Sequence, residues 1–329
     1  LKFLPGSIDL LPGSFFAFFW YYCSCGGDYM SVEINWFPGH MKKALDELSD
    51  RLKLVDIVFE TCDARIPLSS RNPELNRIIR DKRRIIVLNK ADLADEIETK
   101  KWINELNKSG ATAVAIDSIH KKGLIQIRNL SEQLCADVLE RARNKGRIGR
   151  PVRAMVVGIP NSGKSTLINS MCNRKIAITG DRPGVTRGFQ WAKSDSNLEL
   201  MDMPGVLWPN LGSNRNKLCL ALTGAIKTQV TDSVSVSLDG MTMIQSLYPE
   251  YISKRYGIPA ESDINDLQNQ YDRFLTAARA KGCVLSGGRV DEERFAALFL
   301  DDFRSGRIGR ISLEKVFDKE SIPANPSLG

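Results

Sequence analysis

From Met41 to Leu54 the apolar residues Met41, Ala44, Leu45, Leu48 and Leu52 recur at helical spacing among charged ones, which predicts an amphipathic helix. The apolar run Val55–Phe59 then reads as a short buried strand. The alternation continues with a helix over Pro73–Arg80, a strand over Ile85–Leu88, a helix over Glu96–Lys108, a strand over Thr112–Ile116 and one long helix over Leu124–Arg143. A further strand, Val152–Val157, leads to a helix over Thr166–Cys172, and strands near Phe189–Ala192 and Leu198–Met201 complete a six-stranded candidate sheet. Strand–helix alternation of this kind predicts an α/β fold, a mostly parallel sheet with helices on both faces. Beyond Lys217 the pattern is mostly helical, over Leu218–Lys227, Ser246–Tyr256, Asp263–Lys281 and Asp291–Phe303. Val230–Ser246, rich in serine and threonine, does not read as a plain helix. The expected division is an α/β domain over 31–212, a small all-helical domain over 213–313 and a flexible polar tail over 314–329.

Residues 1–30 read differently. Phe15–Tyr22 (FFAFFWYY) is densely aromatic but too short to span a bilayer, and it lacks a strong basic flank and a clear cleavage site. The chain opens on Leu1, whereas Met30 precedes SVEINWFPGH, which resembles a natural amino terminus. The segment is therefore expected to be a non-native or disordered extension, with a signal or membrane anchor as the rival reading. The seven cysteines are scattered, no C-x-x-C pair occurs, and the only histidines are His40 and His120. That pattern argues against a zinc site or disulfide framework and for reduced thiols in a cytosolic protein. A net charge of +7 is compatible with a polyanionic partner such as RNA but does not decide it. The stretch Arg141–Arg153 is basic and free of acids, and reads as an exposed linker. GRIGR occurs at 146–150 and again at 306–310, which reads as a coincidence of basic turns.

The chemistry lies in short motifs. Gly158-Ile159-Pro160-Asn161-Ser162-Gly163-Lys164-Ser165 fits G-x-x-x-x-G-K-S between a predicted strand and a predicted helix, the context of a phosphate-binding loop. Asn161, Ser162, Gly163, Lys164, Ser165 and Thr166 are the candidate phosphate-binding residues, with backbone N–H groups and a helix N-terminus facing the anion. Lys164 reaches β- and γ-phosphates, and Ser165 is a candidate Mg²⁺ ligand. Asp202-Met203-Pro204-Gly205 follows the last strand; Asp202 is a candidate Mg²⁺ carboxylate, and Gly205 offers an N–H to the γ-phosphate. Between these motifs, Thr186 in Asp181–Arg187 is the candidate for a second hydroxyl on Mg²⁺, in a segment ordered by the γ-phosphate.

Asn89-Lys90-Ala91-Asp92 fits N-K-x-D at a strand end. Guanine presents N1–H and a 2-amino group side by side, and a carboxylate such as Asp92 accepts both. Asn89 is placed to meet the purine's other edge and to tie the loops together, and the Lys90 stem to cover the base. Asp117 and Ser118, after the third strand, are a looser candidate for the loop that backs the base. In most GTPases the phosphate loop comes first and N-K-x-D last; here the order is reversed, so the chain looks like a circularly permuted P-loop GTPase. Such rearrangement is easy where original termini lie close together.

Trp36-Phe37-Pro38-Gly39-His40-Met41, Asp63-Ala64-Arg65-Ile66-Pro67 and the permuted order closely resemble the ribosome biogenesis GTPase A (YlqF) family, from about Ile34 to about Leu313. The resemblance implies a bacterial cytoplasmic factor, expected to be a monomer away from membranes, that acts late in assembly of the large ribosomal subunit. It also implies GTPase activity stimulated by that subunit and a helical C-terminal domain that binds rRNA. Val206 stands where many GTPases carry a water-orienting glutamine. In the family that role is assigned to the histidine matching His40, so the candidate catalytic set is His40, Lys164, Thr186 and Gly205. Asn161 matches the asparagine with which some related GTPases hold K⁺. In the C-terminal part, Lys254, Arg255, Arg273, Arg279, Lys281, Arg289, Arg304, Arg307 and Arg310 are interspersed with Tyr248, Tyr251, Tyr256, Phe274 and Phe303. Composition alone reads them as a solvated face over core aromatics, whereas the resemblance makes them an RNA surface. Two other readings stand beside the assembly factor: a GTP- or (p)ppGpp-sensing module with little turnover, and a tRNA- or membrane-linked GTPase.

Overall fold

β1 (Ile57–Asp63) is buried along its whole length, as befits a strand covered on both faces. Its neighbours are β2 (Arg83–Asn89) on one side and β4 (Val152–Gly158) on the other, both parallel to it. With β3 (Thr112–Ala115), β5 (Gln190–Lys193) and β6 (Leu198–Asp202) they form a six-stranded sheet in the order β3-β2-β1-β4-β6-β5. Only the edge strand β5 is antiparallel to its neighbour. This computed structural model describes residues 39–79, 82–174, 190–194, 197–208, 211–226, 232–260 and 267–316. The aromatic run Phe15–Tyr22 lies outside them, and among the described residues no helix is long and apolar enough to cross a membrane.

The register brings the chemistry to one rim. Asp63 lies opposite Asn89, Thr61 opposite Gly158 and Val156 opposite Asp202. The strand ends bearing Asp63, Asn89, Gly158 and Asp202 thus open together, where open α/β sheets bind ligands. One face is covered by α4 (Leu124–Leu134) and α6 (Lys164–Cys172), which pack Ile127, Leu167 and Ile168 against Ile57, Phe59, Val87 and Val156. On the other face α1 (Gly39–Arg51) and α2 (Pro73–Ile79) pack Leu48, Leu75 and Ile79 against Val58, Met155 and Met201. There α3 (Glu96–Lys108) adds Trp102 and Leu106 against Ile86 and Leu88.

Two strand-and-helix expectations shift. β1 begins and ends later than the apolar run Val55–Phe59 because its second half is polar yet buried: Glu60 meets Arg71 at 3.1 Å and Arg84 at 3.3 Å. The single helix expected over Leu124–Arg143 is two, α4 and α5 (Ala136–Asn144), broken at Cys135. Just before the break Ser131 Oγ donates back to the Ile127 carbonyl at 2.6 Å, a bond that bends helices.

After Gly212 come α7 (Asn214–Leu222), α8 (Ser233–Leu247), α9 (Pro249–Tyr256), α10 (Leu267–Ala280) and α11 (Glu292–Arg304). α8 corrects the reading of Val230–Ser246: it is a 15-residue helix packed against α7, α9, α10 and α11. Its hydroxyls do not compete with the helix because they are satisfied, Thr242 on the Leu238 carbonyl within the helix (3.0 Å) and Ser237 on the Ala296 carbonyl of α11 (3.2 Å). Val236, Met241, Met243 and Ile244 are buried in a core shared with Phe274, Phe295 and Phe299. That core runs without interruption into Ile66, Ile159 and Val206–Trp208 at the sheet rim. Glu314, assigned by sequence to the loose tail, is fully buried, because its carboxylate accepts from the Leu68 amide (2.6 Å) and the Ser69 amide (3.0 Å). Residues 317–329 lie outside the described residues.

Candidate nucleotide-binding site

β4 ends in the phosphate loop, and α6 starts from Gly163, whose φ of +91° favours glycine. A Cβ on Gly163 would collide with the Asn89 amide. Lys164 Nζ folds over its own loop to the Ile159 carbonyl at 2.7 Å. Burial pushes its ammonium down to about 8, with the Asp202 carboxylate opposing and Lys90 reinforcing the shift. A polyphosphate bound there would favour the charged form further. The Ser162 hydroxyl is turned into the core, 2.9 Å from Thr61 Oγ1 and 3.0 Å from the Ile159 carbonyl, so only its backbone is left to serve a ligand.

The guanine motif faces this loop across the cleft. Asn89 is almost fully buried, and its Nδ2 donates to the Ser162 carbonyl (3.2 Å) and the Gly163 carbonyl (3.3 Å). Its Oδ1 accepts from the Ser118 amide (3.3 Å) and hydroxyl (2.8 Å). One side chain thus joins the phosphate loop, the N-K-x-D loop and the Asp117–Ser118 loop. Lys90 adopts φ +59° and stretches along the cleft to the Asn161 carbonyl at 2.5 Å and Asp63 at 3.2 Å. Asp92 lies half-buried at the cleft; burial, then the charge of Asp117, raises its carboxyl above the usual value. Asp117 in turn holds His120 Nδ1 at 2.6 Å and the His120 amide at 2.9 Å.

Ser165 Oγ donates to Asp202 Oδ2 at 3.4 Å. A hydroxyl and a carboxylate facing each other beside a phosphate loop form the hard-oxygen donor pair that Mg²⁺ accepts. Gly205 passes so close that a Cβ there would lie 2.8 Å from Lys164 Nζ. Val206 is buried in the core and cannot orient water. Thr186 and Asp181–Arg187 lie outside the described residues, as do Trp36–Pro38. The backbone of His40 sits in the first turn of α1, and its side chain is outside what is described.

The sequence reading missed the far wall. A cavity of about 1050 Å³ is lined by Lys90, Asp92, Asp117, Gly163 and Thr166 on one side and by Thr223, Gly224, Leu300, Asp301 and Arg304 on the other. Asn161 Nδ2 donates across this joint to the Thr223 carbonyl at 2.7 Å. Arg65 also lines the cavity; its guanidinium grips Asp63 (2.9 and 2.8 Å) and donates to the Phe303 carbonyl (3.1 Å). Burial works against the Asp63 charge, yet Arg65 and Lys90 hold its carboxyl well below the usual range. The only sequence signal for this pair was the D-A-R-I-P motif.

The basic C-terminal residues are partly committed inside the protein. Arg255 and Arg307 pair with buried Asp302 at 2.8 and 2.6 Å, and Arg304 donates to the Leu222 and Ala221 carbonyls. Tyr256, Phe274 and Phe303 are core residues, not stacking platforms, since their rings fill the apolar space among the helices. Lys254, Arg279 and Arg289 remain exposed.

Residues 153–274 match the family described as 50S ribosome-binding GTPase. Ribosome biogenesis GTPase A of Bacillus pumilus is 41% identical over 285 residues, covering 86% of this chain and 99% of the relative. The protein of that name from Thermotoga maritima is 31% identical over 298 residues, covering 90% of this chain and all of its own. Among solved structures, GDP-bound YlqF is 27% identical with a TM-score of 0.57, covering 82% of this chain and 98% of its own. GNP-bound YlqF from T. maritima is also 27% identical, with a TM-score of 0.56 over 83% and 98% of the two chains.

Proposed function

The chain belongs to the ribosome biogenesis GTPase A family and is a circularly permuted GTP hydrolase, and we propose that it serves late assembly of the large ribosomal subunit in the cytoplasm, as a monomer. GTP-bound protein docks on the immature subunit, and hydrolysis releases it. The bundle over 213–313 is the part that meets rRNA, through Lys254, Arg279 and Arg289, which stay exposed. The α/β unit over 31–212 is the part that reads the nucleotide.

Within the site, Asp92 accepts the guanine N1–H and 2-amino protons, and Asn89 keeps that loop against the phosphate loop. Lys164 and the amides of 161–166 hold the β- and γ-phosphates. Ser165, Asp202 and Thr186 would hold Mg²⁺, which when bound would supply positive charge to offset that of the phosphates. The Gly205 amide meets the γ-phosphate and so links its presence to the segment entering α7. With Val206 withdrawn into the core, His40 positions the attacking water. Asn161 donates its amide nitrogen to the Thr223 carbonyl, and its amide oxygen is the group that would hold K⁺, which would supply further positive charge for the phosphates.

The observation that carries the reading is the single Asn89 side chain bonded to both the phosphate loop and the Ser118 loop. It supports a base end and a phosphate end around one cleft. Co-sedimentation with large ribosomal subunits is the test. The protein is expected to pellet with subunits in a non-hydrolysable GTP analogue and to stay in the supernatant in GDP. Equal partition in both nucleotides would sink the proposal.

A further inference from the structure

Past α11 the chain runs back over residues 306–316, behind the Asn89–Asp92 loop. The turn that carries Asp92 makes few bonds of its own: the Leu93 amide donates to the Lys90 carbonyl at 3.0 Å, and the Ala91 amide to the Ile116 carbonyl at 3.0 Å. The Ala91, Leu93 and Ala94 carbonyls are taken by the returning segment. Arg310 Nη2 donates to the Ala91 carbonyl at 3.0 Å and its Nε to the Ala94 carbonyl at 2.8 Å. The Ile311 amide takes the Leu93 carbonyl at 2.9 Å, and the Asp95 amide donates to Ser312 Oγ at 3.2 Å. The segment is itself anchored further on. The Leu313 amide bonds the Arg65 carbonyl at 2.9 Å, and Trp102 Nε1 donates to the Glu314 carbonyl at 2.9 Å.

We propose that this C-terminal strap, through Arg310, sets the position of Asp92 and thereby the enzyme's selectivity for guanine. The inference rests on Asn89–Asp92 being the guanine-reading loop. A carboxylate that must accept two parallel bonds from one base edge tolerates little displacement, because hydrogen bonds weaken steeply off their axis. A guanidinium holds its donors in one rigid plane, so two carbonyls bound to one Arg310 keep a fixed separation. Asp92 lies between those carbonyls in the chain. Arg310 itself acts through the turn and is a positioning residue.

The test uses the full chain and compares GDP with inosine diphosphate. Hypoxanthine keeps N1–H but lacks the 2-amino group, so the ratio of the two affinities isolates the bond from Asp92 to that group. Arg310→Ala is expected to weaken GDP about tenfold and inosine diphosphate about twofold, shrinking the ratio about fivefold. Arg310→Lys keeps the charge beside Glu96 but reaches only one carbonyl, and its ratio should fall between. The Arg310 side chain is 47% exposed, so neither change opens a hole in the core. Equal losses for both nucleotides, as a simple staple between the two parts of the chain would give, overturn the proposal; so does no loss at all. Asp92→Asn, run alongside, separates two kinds of failure. If it moves preference toward xanthosine diphosphate while the Arg310 variants keep the parental ratio, the strap proposal alone falls. If it leaves preference unchanged, the guanine-loop reading falls and takes the strap proposal with it.

Discussion

Lys164 is the residue whose chemistry is most exposed to test. It is buried beside its own loop, and that burial works against its charge, which a polyphosphate would favour. Lys164→Ala should therefore weaken GTP binding about 10- to 100-fold in equilibrium titration, the range of a charge-assisted bond lost. Unchanged affinity would remove it from the phosphate site. His40→Ala should leave GTP binding within about twofold but slow single-turnover hydrolysis on large subunits about 100-fold, the lower end for a positioned proton-handling group. A normal rate would exclude it from catalysis. At this scale the motif residues were legible because each needs one residue type at one strand end. Arg65 was marked only by its motif, and the cleft roles of Thr223 and Arg304 were not legible: they arise by long-range packing, and nothing local to an arginine or a threonine announces a partner 62 to 238 positions away.

Among the elements, α8 was the hardest to read. Serine and threonine weaken local helix preference by offering competing bonds, and only the tertiary setting shows those bonds satisfied. β1 was misplaced for the opposite reason, since Glu60 and Asp63 look solvent-facing until Arg71, Arg84 and Arg65 are folded onto them. The repeated GRIGR makes the same point with identical residues. Ile148 is 88% exposed in the turn before β4, whereas Ile308, at the start of the returning C-terminal segment, is 6% exposed and packs into the core. Gly240 supports a prediction at this level. A Cβ on it would press into the buried Leu222 side chain of α7. Valine favours helix slightly over glycine, by about 0.4 kcal/mol. Overpacking costs about 1–3 kcal/mol and wins. Gly240→Val should lower unfolding stability by about 2 kcal/mol in urea melts; a neutral result would mean that α7 and α8 are not held at this separation.

For the molecule as a whole, the six strands and the mostly parallel α/β class followed from the alternation of apolar runs, but the helix count and the continuity of the core from sheet rim to helical bundle did not. Acid stability reports on that continuity. Burial opposes the charge of Asp302, yet bonds from Arg255, Arg307 and Tyr256 hold its carboxyl below the usual value. Asp63 is held low by Arg65 and Lys90. A carboxyl depressed in the folded state adds stability that is complete above its unfolded value, about 3.9, and is lost as pH falls through the folded value. Glu314 runs the other way: burial raises it, so its contribution is fullest at low pH and is lost as pH rises through the raised value. Asp63 and Asp302, both buried, therefore contribute to the acid limb below about pH 4. Asp302→Asn should flatten that limb and cost about 2 kcal/mol at pH 7, discounted because both arginines are partly solvated. An unaltered limb in pH-dependent urea unfolding would contradict this.

Permutation gives the helical bundle two moorings. It is entered from the segment after Asp202, next to Lys164, and it is left through residues that close on the carbonyls around Asp92. A body tied at one place swings freely; a body tied at both flanks of a ligand cannot turn without loading one tether. If the cleft holds the nucleotide as proposed, a large surface gripping the bundle from outside would pull on the base end and the phosphate end at once, and the nucleotide would act as the hinge pin of the joint.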